Sequence, residues 1–329
     1  MPGKLKRPLV RWRRSLLLAF VPLLTCAQPA PDATGTLRDP PRVSIIPRGQ
    51  RVTEPHGAEI RVDVNVVLIP VTVTDLLGKP VLGLSSEAFQ VSEDGVEQPL
   101  AHLVNQDAPL SVGVIFDASK SMDDKLDKSR EAIAQLLRFS MPGDEYSLVS
   151  FNDKPTLLSG FTPEPEKIQN ALLSIQPMGW TALLDAIQLS ANHMKRAKNG
   201  RKVLVVLSDG GDNNSRYNER EIRELLRESN VSLYAIGILG RMVTAGAMKL
   251  LSNLAEETGG RLFPVHNVRE LPAAIEKLNS AVREQYVLAY YPTNSTRDGK
   301  YRRVHVKVVA PPTIPSVHAS WRLGYYAPE

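Results

Sequence analysis

Apolar and polar positions alternate with two different periods along this chain. In its middle, LSVGVIFD (110–117), KVLVVLSD (202–209) and SLYAIGI (232–238) are mostly apolar runs, as for strands covered on both faces, and EYSLVSFN (145–152) reads as a further strand. TLLSGF (156–161) and RLFPV (261–265) are shorter candidates. Between them, 124–139, 164–176, 182–198, 218–229, 244–258 and 268–283 have helix length; in the first, Leu126, Ile133, Leu136 and Leu137 share one stripe. Strands separated by helices predict an α/β domain over 108–283 with a doubly wound, mostly parallel sheet.

Both ends change to period two. Val62, Val64, Val66 and Leu68 alternate before Pro70, and Val304, Val306 and Val308 alternate with Arg303, His305 and Lys307. FQVSEDGVEQPLAHLV (89–104) predicts a hairpin turning at Asp94-Gly95, and Asp298-Gly299 supplies a turn between EQYVLAYYP and YRRVHVKVV. A sheet built from one end alone would leave a large unprotected edge. The two ends, 56–107 and 284–329, are therefore expected to pair into one flanking β-sandwich-like domain.

The N-terminus alters the picture given by charge. The 329 residues carry a formal net charge of +5, but Lys4, Lys6, Arg7, Arg11, Arg13 and Arg14 crowd into the first 27 positions without an acid. That basic stretch precedes SLLLAFVPLL and Thr25-Cys26-Ala27, the order of an export signal with a small-residue cleavage site, so 1–27 is read as a signal peptide. Its apolar run is too short for a stable membrane span. Without it 34 basic residues face 35 acidic ones, and the basic composition no longer argues for nucleic acid. Cys26, the single cysteine, is either removed with the leader or, since LLTC resembles a bacterial lipobox, lipidated as an anchor. Residues 28–55 are rich in proline and polar residues and read as a linker.

Two buried strands end on acids, VGVIFD at Asp117 and VLVVLSD at Asp209, where a doubly wound sheet binds its ligands. Either acid alone reads as a helix cap. Ser119 and Ser121 follow the first at two-residue spacing, and Thr181 opens TALLDAI. Hydroxyls and carboxylates without His or Cys form a hard oxygen set suited to Mg²⁺ or Mn²⁺ rather than zinc.

DASKS (117–121), Thr181 in GWTALLDA and Asp209 in LSDGGD resemble, in order and spacing, the metal-ion-dependent adhesion site of von Willebrand factor type A (VWFA) domains. That resemblance implies a Rossmann-like fold. It also implies that Ser119, Ser121 and Thr181 are hydroxyl ligands, that Asp117 and Asp209 hold the ion directly or through water, and that one coordination position is open to a partner carboxylate. Over about four fifths of its length the chain also resembles exported bacterial proteins related to this domain. Two positions depart from the common pattern: Lys120 stands where glycine is usual between the serines, and Trp180 where a second glycine is frequent. Either side chain is a candidate partner contact; solvent for Lys120 and loop packing for Trp180 are the plainer alternatives.

Enzyme signatures are absent from the sequence. There is no Gly-x-Ser-x-Gly elbow and no phosphate-cradling Gly-Lys-Ser loop, and the six histidines have no metal-ligand spacing. The expectation is an exported, periplasmic or secreted, non-enzymatic adhesion protein. It would capture an Asp or Glu of a protein partner through Mg²⁺ or Mn²⁺, with no nucleic-acid partner and no transmembrane span. The alternative is a structural or envelope-assembly protein whose metal site is filled from within by an acid of the β-domain.

Overall fold

The computed structural model describes residues 66–105, 108–209, 211–239, 245–309 and 316–329. The leader, the 28–55 linker, Cys26, Val62 and Val64 lie outside the described residues.

The described residues begin with β1 (Val67–Thr74), β2 (Phe89–Glu93), β3 (Val96–Gln98) and β4 (Leu100–Asn105). An α/β succession follows: β5 (Leu110–Asp117), α1 (Leu126–Arg138), β6 (Glu145–Phe151), β7 (Pro155–Thr162), α2 (Pro165–Leu173) and α3 (Leu183–His193). It continues through β8 (Arg201–Ser208), α4 (Glu219–Glu228), β9 (Ser232–Ile238), α5 (Ala245–Glu257), β10 (Leu262–Val265) and α6 (Leu271–Arg283). Four strands close the chain: β11 (Tyr286–Tyr290), β12 (Tyr301–Val308), β13 (His318–Trp321) and β14 (Gly324–Tyr326).

The central sheet has the order β10-β9-β8-β5-β6-β7, parallel except for the antiparallel edge strand β7. Every residue of β5 and β6 is buried, because helices cover both faces. Val112, Val114 and Phe116 of β5 pack with Ile133 and Leu137 of α1, Leu172 of α2 and Ile275 and Leu278 of α6. On the other face Ile115 joins Leu184 and Ile187 of α3, Leu226 of α4 and Leu254 of α5.

The terminal strands form two four-stranded sheets, β13-β1-β11-β4 and β14-β12-β2-β3, each mixing strands from both chain ends. Ile69, Val71, Val73, Phe89, Val91, Leu288, Tyr290, Val304 and Val306 fill the space between them. The β2–β3 hairpin turns at Asp94 (φ 48°) and Gly95 (φ 85°), the double positive φ that tight hairpins demand.

Two details differ from the sequence reading. In β1 the buried apolar residues are Ile69, Val71 and Val73, with Thr72 and Thr74 buried too, while Val66 and Leu68 are exposed, so the apolar set that faces the core is out of phase by one residue with the expected one. Ile69, Val71 and Val73 pack against the second terminal sheet, and Pro70, which lacks an N–H, sits just outside the ladder with β13, which runs over Val71–Thr74. The Asp298-Gly299 turn does not join a hairpin, because β11 and β12 lie in different sheets.

The two parts meet at the strand-start end of the central sheet. Gln285 Nε2, between α6 and β11, donates to Tyr234 Oη of β9 at 2.7 Å, and Arg201 at the start of β8 donates to Gln285 Oε1 at 3.2 Å. Thr258 pairs with Arg322 as an isolated bridge. Among the described residues no helix is long and apolar enough to cross a membrane.

Candidate metal centre

Asp117 closes β5 and Asp209 immediately follows β8; these strands are adjacent, and from β5 the chain goes on to β6 on its other side. The two acids therefore stand beside the crevice at the sheet's switch point. Asp117 is fully buried: its Oδ1 accepts from Ser119 N at 2.8 Å and its Oδ2 from Ser208 Oγ at 2.5 Å. Burial pushes its pKa up to about 6. The Ser119 and Ser208 hydrogen bonds oppose that rise, and the neighbouring Asp209 adds to it.

Ser119 and Ser121 flank the first residue of a single 3₁₀ turn, Lys120–Met122. Their Oγ atoms are 3.1 Å apart, and Ser121 Oγ donates to Asp209 Oδ1 at 2.8 Å. In an octahedral Mg²⁺ site with bonds of 2.0–2.1 Å, neighbouring oxygens lie about 2.9 Å apart. The Ser119–Ser121 and Ser121–Asp209 contacts are hydrogen bonds at a spacing that neighbouring octahedral ligands also have, and the desolvated Asp117 would give a cation charge to relieve. In donor type and spacing the residues are compatible with the ion.

Thr181 stands just before α3. Its N–H donates to Asn213 Oδ1 at 2.8 Å, and its carbonyl accepts from Asn213 N and Asn214 N. Among the described residues, no hydrogen bond joins its hydroxyl to the other four side chains. Backbone bonds pin the loops together: Met178 N donates to Ala118 O at 2.9 Å and Lys120 N to Gly179 O at 3.2 Å. Such cross-loop bonds hold the oxygens in place ahead of any ligand.

Lys120 points to solvent, where its Nζ pairs with Asp123 Oδ2 at 2.6 Å. Trp180 is 65% exposed, and its backbone N–H donates to Asp153 Oδ1 at 2.8 Å. Asp185 is buried and accepts from the N–H groups of Arg216 and Tyr217, and Asp212 Oδ1 accepts from Leu184 N at the start of α3. These acids brace the Thr181 loop.

Sequence reasoning missed Ser208, Asn213 and above all Lys125. Lys125 Nζ lies 2.5 Å from Asp209 Oδ2 and 2.6 Å from Ser121 O. Its four-residue spacing from Ser121 was the available signal, since one helical turn returns the side chain to that carbonyl.

Residues 112–211, which contain all five candidate ligands, match the model of the von Willebrand factor type A domain. The chain carries a von Willebrand factor type A domain. It is 26% identical over 206 residues to the human (Homo sapiens) inter-alpha-trypsin inhibitor heavy chain H4, covering 58% of this chain and 22% of that one. To the Bos taurus heavy chain H4 it is 24% identical over 165 residues, covering 46% and 18%. The chain thus spans about a fifth of the length of the curated relatives it matches. Among solved structures it is similar to a von Willebrand factor type A protein from Catenulispora acidiphila (12% identity, TM-score 0.49, covering 80% of this chain and 74% of that one). It is also similar to the PilB minor pilin of Streptococcus sanguinis (16% identity, TM-score 0.45, covering 55% and 63%).

Proposed function

We propose that the type A domain binds one Mg²⁺ or Mn²⁺ through Ser119, Ser121 and Thr181, with Asp117 and Asp209 close by. In this reading the ion captures an Asp or Glu side chain of a protein partner, and the protein is a non-enzymatic adhesion or binding module. The observation that carries the reading is the convergence of the Ser119 and Ser121 hydroxyls on Asp209, beside the buried Asp117, at the strand-end pole.

Neutral hydroxyls contribute no charge, so a dication held mostly by them stays electrophilic toward an incoming carboxylate. Trp180 and Met178 are exposed on the adjoining loop. Such side chains anchor interfaces well, and they would add apolar contact around the captured acid.

A site filled from within is less favoured by the geometry. The β-sandwich joins the type A domain at the start of the strands, and β5 alone spans roughly 23 Å from that end to Asp117. Export belongs to the same proposal, supported by the basic and apolar order of residues 4–24.

The test is retention of partner proteins from an envelope extract on the immobilised chain. Proteins held in Mg²⁺ should be released by EDTA and should not bind Asp117→Ala. Retention that is the same in all three conditions would remove the metal-bridged mechanism.

A further inference from the structure

We infer that Lys125 is a resident cation of the metal centre, an ammonium group that neutralises Asp209 when no ion is bound and weakens the affinity for the ion. The inference rests on the metal-site reading above and goes beyond it, because none of the five candidate ligands is cationic.

Lys125 is in an unusual place for its charge. It directly precedes α1, and a cation at a helix N-terminus opposes the helix dipole. What holds it there is the contact of Nζ with Asp209 Oδ2 at 2.5 Å and with the Ser121 carbonyl at 2.6 Å. The pair is shielded, with Asp209's side chain 2% and Lys125's 15% exposed. The other acid near the amine, Asp124, is 3.6 Å away and almost fully in solvent. Charge at such a shielded pair is felt far more strongly than at a surface ion pair.

Lys125 and the candidate ligand set use different oxygens of one carboxylate: Oδ2 faces the amine, and Oδ1 faces Ser121 Oγ. The ammonium therefore need not leave when an ion arrives. It stays as a fixed positive charge a few ångströms away, and the ion meets one net negative charge from Asp117, Asp209 and Lys125 instead of two. Two consequences follow. Without an ion, the two acids are held together with less mutual repulsion, so the site is assembled in advance. With an ion, the centre is left more positive, and part of the available attraction passes from the resident acids to an incoming third carboxylate. Lys120 lies between the two serines in sequence, yet its amine is engaged with Asp123 in solvent. The cation that acts on the site comes from the next turn.

The experiment is calorimetric titration of Mn²⁺ into the metal-stripped full chain, for wild type, Lys125→Met, Lys125→Gln and Lys125→Arg. Melting curves in EDTA and in saturating Mg²⁺ accompany it. Removing a unit charge a few ångströms from a dication should tighten Kd by at least about tenfold in the Met and Gln variants. Lys125→Arg should stay near wild type. By linkage, the neutral variants should lose more thermal stability in EDTA than in Mg²⁺. A Kd that is unchanged or weaker in the folded neutral variants would overturn the role of Lys125. If wild type binds Mn²⁺ and Asp117→Ala does not, the metal site stands whatever Lys125 does; if no folded variant binds Mn²⁺, both readings fall.

Discussion

Asp117 is a buried carboxylate whose charge the fold only partly compensates. Buried without a full counter-charge, its carboxyl has a pKa raised to about 6 from an ordinary 3.8. The folded chain therefore holds a proton more readily than the unfolded chain between these values. In chelator, stability from this group should be highest below pH ~4 and should fall as pH rises through about 6. Asp117→Asn keeps the shape and the contacts with Ser119 and Ser208 while removing the buried charge. At pH 7 in EDTA it should raise stability by about 1–3 kcal/mol, a gain that disappears near pH 4, while Mn²⁺ binding is lost. Urea unfolding at the two pH values, beside calorimetry, checks both halves. An Asn variant that is less stable at pH 7 in EDTA would contradict the strained-carboxylate account. Ser121→Ala is the complementary change: it removes one hydroxyl from the ligand set and should weaken Mn²⁺ at least about tenfold while leaving the fold within about 1 kcal/mol.

Among the elements, β5 is held at both ends by aspartates with contrary titrations. At its start, Asp144 accepts from Leu110 N and Met141 N, each at 2.8 Å, and pairs with Arg283 at the end of α6. Burial pushes the Asp144 carboxyl up, but the Arg283 hydrogen bond and the two backbone N–H groups outweigh it and leave the pKa lowered. Its contribution is therefore present above the ordinary carboxylate range and is lost as pH falls through the lowered value. Asp144→Ala leaves the part-buried Arg283 guanidinium without its carboxylate and two backbone N–H groups without their acceptor, and should cost about 2–4 kcal/mol in urea unfolding, with Mn²⁺ affinity unchanged because the site lies at the other pole. The elements here were legible because β5, β8 and β9 are mostly apolar runs separated by helix-length segments, the first with a clear apolar stripe. Element ends were less so: 182–198 reads as one helix, but α3 stops at His193 and a 3₁₀ turn over Met194–Arg196 follows. The phase of β1 was hidden for a physical reason. Its apolar residues run on both sides of Pro70, and only packing against the second terminal sheet decides which set faces inward.

For the whole molecule, strands from both ends close a sandwich against the type A domain, and the seam depends on close backbone approach as well as on side-chain hydrogen bonds. Gly259 has φ +76°, and a Cβ placed there would lie 2.5 Å from Arg322 N and 2.6 Å from Trp321 C. Gly259→Ala should therefore cost more than the roughly 1–2 kcal/mol of left-handed strain alone, and it should loosen β13 to proteolysis while leaving Mn²⁺ binding intact. That seam could not be read from sequence, because the Thr258–Arg322 bridge joins residues far apart in the chain. The candidate site was more visible: Asp117, Ser119 and Ser121 are contiguous, and Thr181 and Asp209 sit at element ends that the apolar pattern marks. The charge on the site was not visible, since Lys120 drew attention by its position between the serines while Lys125 is the lysine that reaches Asp209.

The most direct test of the central claim is a crystal of the metal-stripped protein soaked in Mn²⁺ and measured at an anomalous wavelength. The account predicts one strong peak at bonding distance from Ser119 Oγ and Ser121 Oγ, beside Asp117 and Asp209, that vanishes in Asp117→Ala. A fully soaked crystal with no peak between these residues, or with one that persists in the variant, would contradict it.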